Sequence, residues 1–106
     1  MLTMTPTQRA IYERLFAAAR TIGPFTVDPK KTSIHLTRTS AFAGVATRKD
    51  ALLVTIKSPT DIPSPRIVKR QRASAHRWHL DVRLGSPKEV DRELTSWLKD
   101  AMELSG

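Results

Sequence analysis

Two proline-led helix starts, one near each end of the chain, constrain the fold more than any other feature of this sequence. Thr5-Pro6-Thr7-Gln8 and Ser86-Pro87-Lys88-Glu89 each place a capping residue before a proline, with Gln or Glu three positions after the cap. Apolar residues then recur at helical spacing, as Ile11, Leu15, Ala18, Ala19 and Ile22 and as Val90, Leu94, Trp97, Leu98 and Ala101. We predict an amphipathic helix that ends at Gly23-Pro24 and a second one that ends at Ser105-Gly106.

Between the two helices, apolar and polar residues alternate with the period of a β-strand. Clear strands are predicted at Lys31–Arg38, Ala41–Thr47, Leu52–Lys57 and Arg77–Leu84, a weaker one at Arg66–Arg72 and a short one at Phe25–Asp28. A helix, a meander and a second helix make an α+β fold, in a single domain of residues 1–106. We expect an antiparallel sheet of about five strands, with the N-terminal and C-terminal helices packed on one face.

The other face of this sheet is expected to be polar and open to solvent. By strand alternation it carries Lys31, Ser33, His35, Thr37, Thr55, Lys57, Arg77, His79 and Arg83. Asp81 lies between two of these arginines in the sequence, and we expect it to form a salt bridge with one of them. Leu53 is an apolar residue on this otherwise polar face.

Positive charge is concentrated in the same middle segment. The chain has a formal net charge of +8; residues 28–85 hold twelve Lys and Arg against four Asp, whereas the two ends balance with six of each sign. A localised excess favours an anionic partner, such as a nucleic-acid backbone or a small phosphorylated or carboxylated ligand. A well-solvated basic surface that only promotes solubility explains the same excess.

Most catalytic and metal-binding patterns are missing from the sequence. There is no cysteine, the four glycines form no phosphate-binding loop, and no serine nucleophile motif is present. His35, His76 and His79 have no third ligand nearby in sequence, so no metal and no other cofactor is expected. No apolar run approaches the ~18 residues of a membrane span, and no signal peptide is visible. We expect a cytoplasmic protein with no membrane contact.

Several stretches resemble a bacterial domain family of unknown function, DUF5655. They are Pro29–Ile34, Phe42–Val45 leading to Arg48-Lys49, Ser64–Arg66, and Val82–Pro87 followed by Val90-Asp91 and Trp97-Leu98. The resemblance covers the chain from about Pro6 to Leu104. It implies a compact α+β domain with terminal helices and brings no established activity or catalytic residue. It also places Lys31, Thr32, Arg48 and Arg66 in recurrent motifs, and we treat these four as candidates for an anion site.

We therefore expect a non-catalytic module whose basic open face binds an anionic partner. The candidate binding residues are Lys30, Lys31, Thr32, His35, Arg48, Lys49, Arg66, Arg77, His79 and Arg83. The aromatic residues are expected in or near the core, which disfavours base stacking. Contact with a duplex backbone, or capture of a small anion, fits better.

Two alternatives stay open. The open sheet and its edge strands are suited to protein interaction or to a homodimer, because exposed edges pair with other strands. An enzyme would need a pocket between the open face and the Ser58–Pro65 loop, lined by His35 or His79 with Lys31.

Overall fold

The computed structural model describes residues 3–105, which form two α-helices and six strands. The elements are α1 (Pro6–Ile22), β1 (Thr26–Pro29), β2 (Ile34–Thr37), β3 (Ala41–Arg48), β4 (Ala51–Ser58), β5 (Ile67–Ser74), β6 (Arg77–Leu84) and α2 (Arg92–Ser105). Gly106, part of the predicted end of the second helix, lies outside the described residues. Within the described part of the chain, neither helix has the length and apolar character needed to cross a membrane.

All six strands form one antiparallel sheet in the order β1-β2-β3-β4-β6-β5. The predicted α+β class is confirmed. There are six strands instead of about five, because the short first strand and the weaker fifth strand both form. β6 lies between β4 and β5, so the chain passes from β4 to the edge of the sheet and then returns to pair with β4.

The two helices cover the same face of the sheet, as predicted. α1 contributes Ile11 and Leu15, and α2 contributes Leu94, Leu98 and Met102, all without exposed surface. They form one cluster with the sheet residues Leu36, Val45, Val54, Ile56, Leu80 and Val82. Burying a side chain of this size contributes about 1.5–3 kcal/mol. A one-residue slip in strand register would turn these side chains to solvent and is therefore strongly disfavoured.

The second helix begins later than the sequence predicts. Pro87–Glu89 forms a short 3₁₀ turn, and the α-helix starts at Arg92. The side chain of Ser86 makes no capping hydrogen bond. The Glu89 carboxylate instead accepts from the amide of Gly85 at 2.8 Å, so the capping box predicted at Ser86 does not form and Glu89 stabilises a turn.

β2 is also shorter than predicted, since it begins at Ile34 and not at Lys31. The amide of Lys30 donates to the carbonyl of Ser33 at 2.7 Å, which closes a turn between β1 and β2. Lys31 and Thr32 lie exposed in this turn. The prediction that a strand carries Lys31 on the open face is therefore wrong.

A bulge in β3 keeps a large side chain away from the open face. The pairing of β2 with β3 skips Phe42, which is the extra residue of the bulge. Its side chain is fully buried and meets the ring of Phe25 edge-on, with the ring centroids 5.8 Å apart. β3 consequently presents only Gly44 and Ala46 to the middle of the open face.

Gln8 connects the start of α1 to the turn between β3 and β4. Its Oε1 accepts from the amide of Thr5 at 2.9 Å, and the Thr5 hydroxyl accepts from the amide of Gln8 at 3.2 Å, which completes the first predicted capping box. Nε2 of the same side chain donates to the carbonyls of Arg48 and Ala51. One buried side chain thus holds a helix start against a hairpin.

We expect Gln8→Ala to lower the free energy of unfolding by about 1–3 kcal/mol, because two carbonyls and a helix-start amide lose their partner. Gln8→Glu keeps the acceptor for Thr5 but places a carboxylate oxygen against two carbonyl oxygens, so it should be no more stable than the alanine variant. Urea denaturation measures both changes. Arg9→Ala, at an exposed neighbouring position, is the control and should stay within about 0.5 kcal/mol of wild type. Equal unfolding free energies for Gln8→Ala and Arg9→Ala would contradict this role of Gln8.

Candidate functional site

The open face of the sheet carries a groove of about 370 Å³. Its lining includes Ser33, His35, Gly44, Ala46, Thr55, Lys57 and His79. The strand register aligns His35 of β2 with Gly44 of β3 and with Thr55 of β4. In the next row, Lys57 of β4 pairs with His79 of β6. The two histidines predicted as binding residues therefore stand at the two sides of one groove, with β3 and β4 between them.

Gly44 forms the floor of this groove, and its backbone does not require glycine. No glycine among residues 3–105 has a φ in the left-handed region, so the conformation of Gly44 is open to other residues. A Cβ at this position would lie 3.7 Å from Cδ2 of His35, which is an ordinary van der Waals contact. Glycine inside a strand weakens the strand and often marks the close approach of a ligand. Gly44 thus leaves space above the sheet at a cost in strand stability.

Lys57 lines the groove, and the positive charge of Arg77 lies close enough to act on it. Nζ of Lys57 donates to the hydroxyl of Ser40 at 3.0 Å, and neither cation forms an ion pair within residues 3–105. Partial burial, and next the charge of Arg77, lower the pKa of Lys57. Nε of Arg77 is buried and has no hydrogen-bond partner in the described part of the chain. Lys57 thus brings positive charge to the groove without an opposing carboxylate among residues 3–105.

Asp81 does not form the predicted salt bridge. Its carboxylate accepts from the hydroxyl of Thr55 at 2.6 Å, because the register places the two residues directly opposite each other on β6 and β4. Arg77 and Arg83 lie on the same strand, one on each side of Asp81. Residues two positions apart in a strand are separated by about 6.6 Å, and Arg77 is four positions away. Arg83 donates instead to the carbonyl of Lys49 at 3.4 Å.

A second group of predicted binding residues lies at the end of the sheet that carries the β1–β2 and β3–β4 turns. It comprises Lys30, Lys31, Thr32, Arg48, Lys49 and Arg83. Nζ of Lys30 pairs with the carboxylate of Asp28 at 2.8 Å, and the Arg48 guanidinium donates to the carbonyl of Thr47 at 2.8 Å. The structure thus separates these six residues from His35 and His79, which line the groove, and from Arg77, whose charge acts on Lys57.

Arg66 lies apart from both groups, on the side of the sheet that the helices cover. Its guanidinium donates to the carboxylates of Asp91 at 2.9 Å and Glu93 at 3.2 Å. It also donates to the carbonyl of Glu89 at 2.6 Å and lies 5.6 Å from the ring centroid of Trp97. These contacts join the start of β5 to the start of α2, so the surroundings of Arg66 indicate a structural role.

Asp91, which accepts from Arg66, is also the capping residue of α2. Its Oδ1 accepts from the amide of Leu94 at 3.0 Å. That backbone hydrogen bond is the main reason why the pKa of Asp91 lies below its usual range. The hydrogen bond from Arg66 lowers the pKa further, and partial burial opposes both effects.

Lys57 is the lysine that lines the groove, and the predicted binding set omits it. Strand alternation places it on the open face, but its neighbours His79 and Arg77 come from β6, whose position beside β4 is not readable from local sequence. The loop between β4 and β5 forms no wall of the groove, contrary to the pocket expected for an enzyme. It lies on the helix side of the sheet, where Arg70 donates to the carbonyl of Ile62 at 3.0 Å and Ile62 packs against the core.

No set of three or more His, Asp or Glu side chains within residues 3–105 is placed to hold a metal ion. The fold and the groove define a small α+β domain with one covered and one open sheet face. The chain belongs to a family described as a domain of unknown function (DUF5655), whose model matches residues 3–105. The resemblance seen in the sequence is therefore confirmed over nearly the whole chain. No curated protein and no solved structure matches it.

Acid should weaken the contacts of the Asp91 carboxylate with Arg66 and with the amide of Leu94. Because its pKa is lowered in the folded state, its contribution to stability is present above the unfolded pKa and is lost as the pH falls through the folded value. Asp91→Asn keeps a capping side chain but loses the charge that pairs with Arg66. The difference in unfolding free energy between wild type and Asp91→Asn should be largest near pH 7 and should shrink towards pH 2. Urea denaturation across this range measures it, and a constant difference would refute the assignment.

Proposed function

We propose that this domain is a non-catalytic binding module that takes a small anionic ligand in the groove on its open sheet face. The observation that carries the proposal is Lys57, which lines the groove, lies near enough to Arg77 to feel its charge, and has no carboxylate partner among residues 3–105. A carboxylate or phosphate group would supply the missing acceptor.

The electrostatics around Lys57 favour an anion. Like charges in proximity destabilise each other, and the lowered pKa of Lys57 reflects burial together with this repulsion. Hydrogen bonds between charged groups are stronger than neutral ones. An anionic group beside Lys57 would therefore offset the repulsion from Arg77.

The rest of the groove suits an apolar ligand body. Pockets for small molecules are mostly apolar clefts of about 300–1,000 Å³ with a few placed polar groups, and this groove, at about 370 Å³, lies at the small end of that range. Gly44 and Ala46 leave a floor without large side chains. The imidazoles of His35 and His79 bound the space above this floor. An aromatic or short aliphatic acid matches these dimensions.

Lys57→Met should weaken the binding of an aromatic anion about ten- to hundredfold, because it removes a charge-assisted hydrogen bond. Phenyl phosphate and benzoate are suitable probes, with uncharged benzyl alcohol as the comparison ligand. Amide chemical shifts in ¹⁵N-labelled protein report the affinity and the site. Lys99→Met, an exposed lysine of α2, removes the same charge elsewhere and should bind like wild type. The proposal would be wrong if the probe left the amide chemical shifts of Gly44, Lys57 and His79 unchanged. It would also be wrong if Lys57→Met and Lys99→Met lost the same affinity.

Gly44→Ala tests whether the ligand lies close to Gly44, because the substitution should lower affinity without lowering stability. The added methyl group meets only ordinary contacts, and an alanine at a permitted backbone conformation stabilises by about 0.4–1 kcal/mol. The same methyl group raises the floor of the groove, so affinity for phenyl phosphate should fall severalfold while thermal stability stays level or rises. A variant that binds the probe as tightly as wild type would show that the ligand does not approach this floor.

A further inference from the structure

The ribbon formed by β5 and β6 is a second strongly basic feature, distinct from the groove. Residues 62–80 contain no Asp or Glu. Every residue of β5 after Ile67 is exposed, including Lys69, Arg70 and Arg72. Arg70 pairs with Asp61 at 2.8 Å, whereas Lys69 and Arg72 make no ion pair within residues 3–105. β5, an edge strand of the sheet, thus carries two cations that form no ion pair within residues 3–105.

These two cations lie on opposite faces of the ribbon. Lys69 pairs in register with Asp81 and so belongs to the open face. Arg72 pairs with Trp78, and its guanidinium lies 5.8 Å from the indole ring on the other face. A strand with positive charge on both faces can approach two rows of phosphates at once. β6 is also paired with β4, so the free part of the ribbon is the β5 edge, and a groove of duplex DNA presents a phosphate backbone on either side of such an edge.

The aromatic residues argue for a duplex over a single strand. Proteins that bind single strands stack bases on exposed aromatic side chains. None of the aromatic residues of this chain is exposed, and the Trp78 and Trp97 rings each have an arginine beside them. The ribbon therefore offers charge without a stacking surface, which suits contacts to the phosphate backbone.

The geometry points to the β5–β6 ribbon as a docking surface for the backbone of double-stranded DNA, with Lys69 and Arg72 as phosphate contacts. This site is independent of the groove, because neither residue is among those that line it. Binding of this kind is insensitive to base sequence and weakens steeply as salt displaces the protein from phosphates. The ribbon would therefore hold the domain on DNA while the groove stays accessible.

Fluorescence anisotropy with a labelled duplex of about 20 base pairs, titrated at several salt concentrations between about 50 and 200 mM, tests this role. The double variant Lys69→Gln/Arg72→Gln should flatten the slope of log K against log salt by about 0.9 for each phosphate that the protein no longer neutralises. Lys88→Gln/Lys99→Gln removes the same charge from exposed positions on the helical segments and should keep the wild-type slope. Thermal melts should show all variants folded, since these are exposed positions.

Three outcomes would overturn the inference. They are no binding of the duplex at about 50 mM salt, an equal change of slope in the helix-side variant, and tighter binding of a single strand of the same length. Gly44→Ala should leave DNA binding unchanged, so a failure of the groove proposal and a failure of the ribbon proposal give different results.

Discussion

The burial of one sheet face beneath two helices is the constraint on which the rest of this molecule depends. In a strand, every side chain that turns to the core has neighbours that turn to solvent. Val54 and Ile56 lie in the core, and by doing so they place Thr55 and Lys57 on the open face. The residues of the groove therefore owe their positions to the apolar residues between them, and the polar face is shaped by the packing of the covered one.

The two edges of the sheet limit how this open face can be used. β1 has only four residues and ends with a proline, which cannot donate a backbone hydrogen bond to another strand. β5 carries lysine and arginine along its length, and its pairing with β6 contains two register shifts. Charges, prolines and bulges are the usual means by which proteins prevent edge-to-edge pairing. The homodimer that the sequence left open as an alternative stays a prediction, and these features disfavour the edge strands as its interface.

Local patterns predicted the elements, and the parts that went wrong depend on contacts far apart in sequence. The Thr5 capping box and the strand alternation were sufficient for α1, for the clear strands and for the covered face, because periodicity within a segment decides them. The predicted start of α2 was wrong because the Glu89 carboxylate accepts from the amide of Gly85, and Asp91 is the residue that caps the helix. Arg66 was grouped with the anion-binding candidates because its motif shows a charge and not the partners that surround it.

The position of β6 between β4 and β5 has a consequence for how the molecule assembles. The first four strands follow one another in space, so short hairpins can bring them together in sequence order. His79 pairs with Lys57 across a connection that contains the whole of β5. Non-local pairing of this kind carries a larger loop-closure cost and slows folding. The non-local pairing of β6 with β4 thus forms one side of the groove. Strands β1 to β4 alone would present His35 without His79.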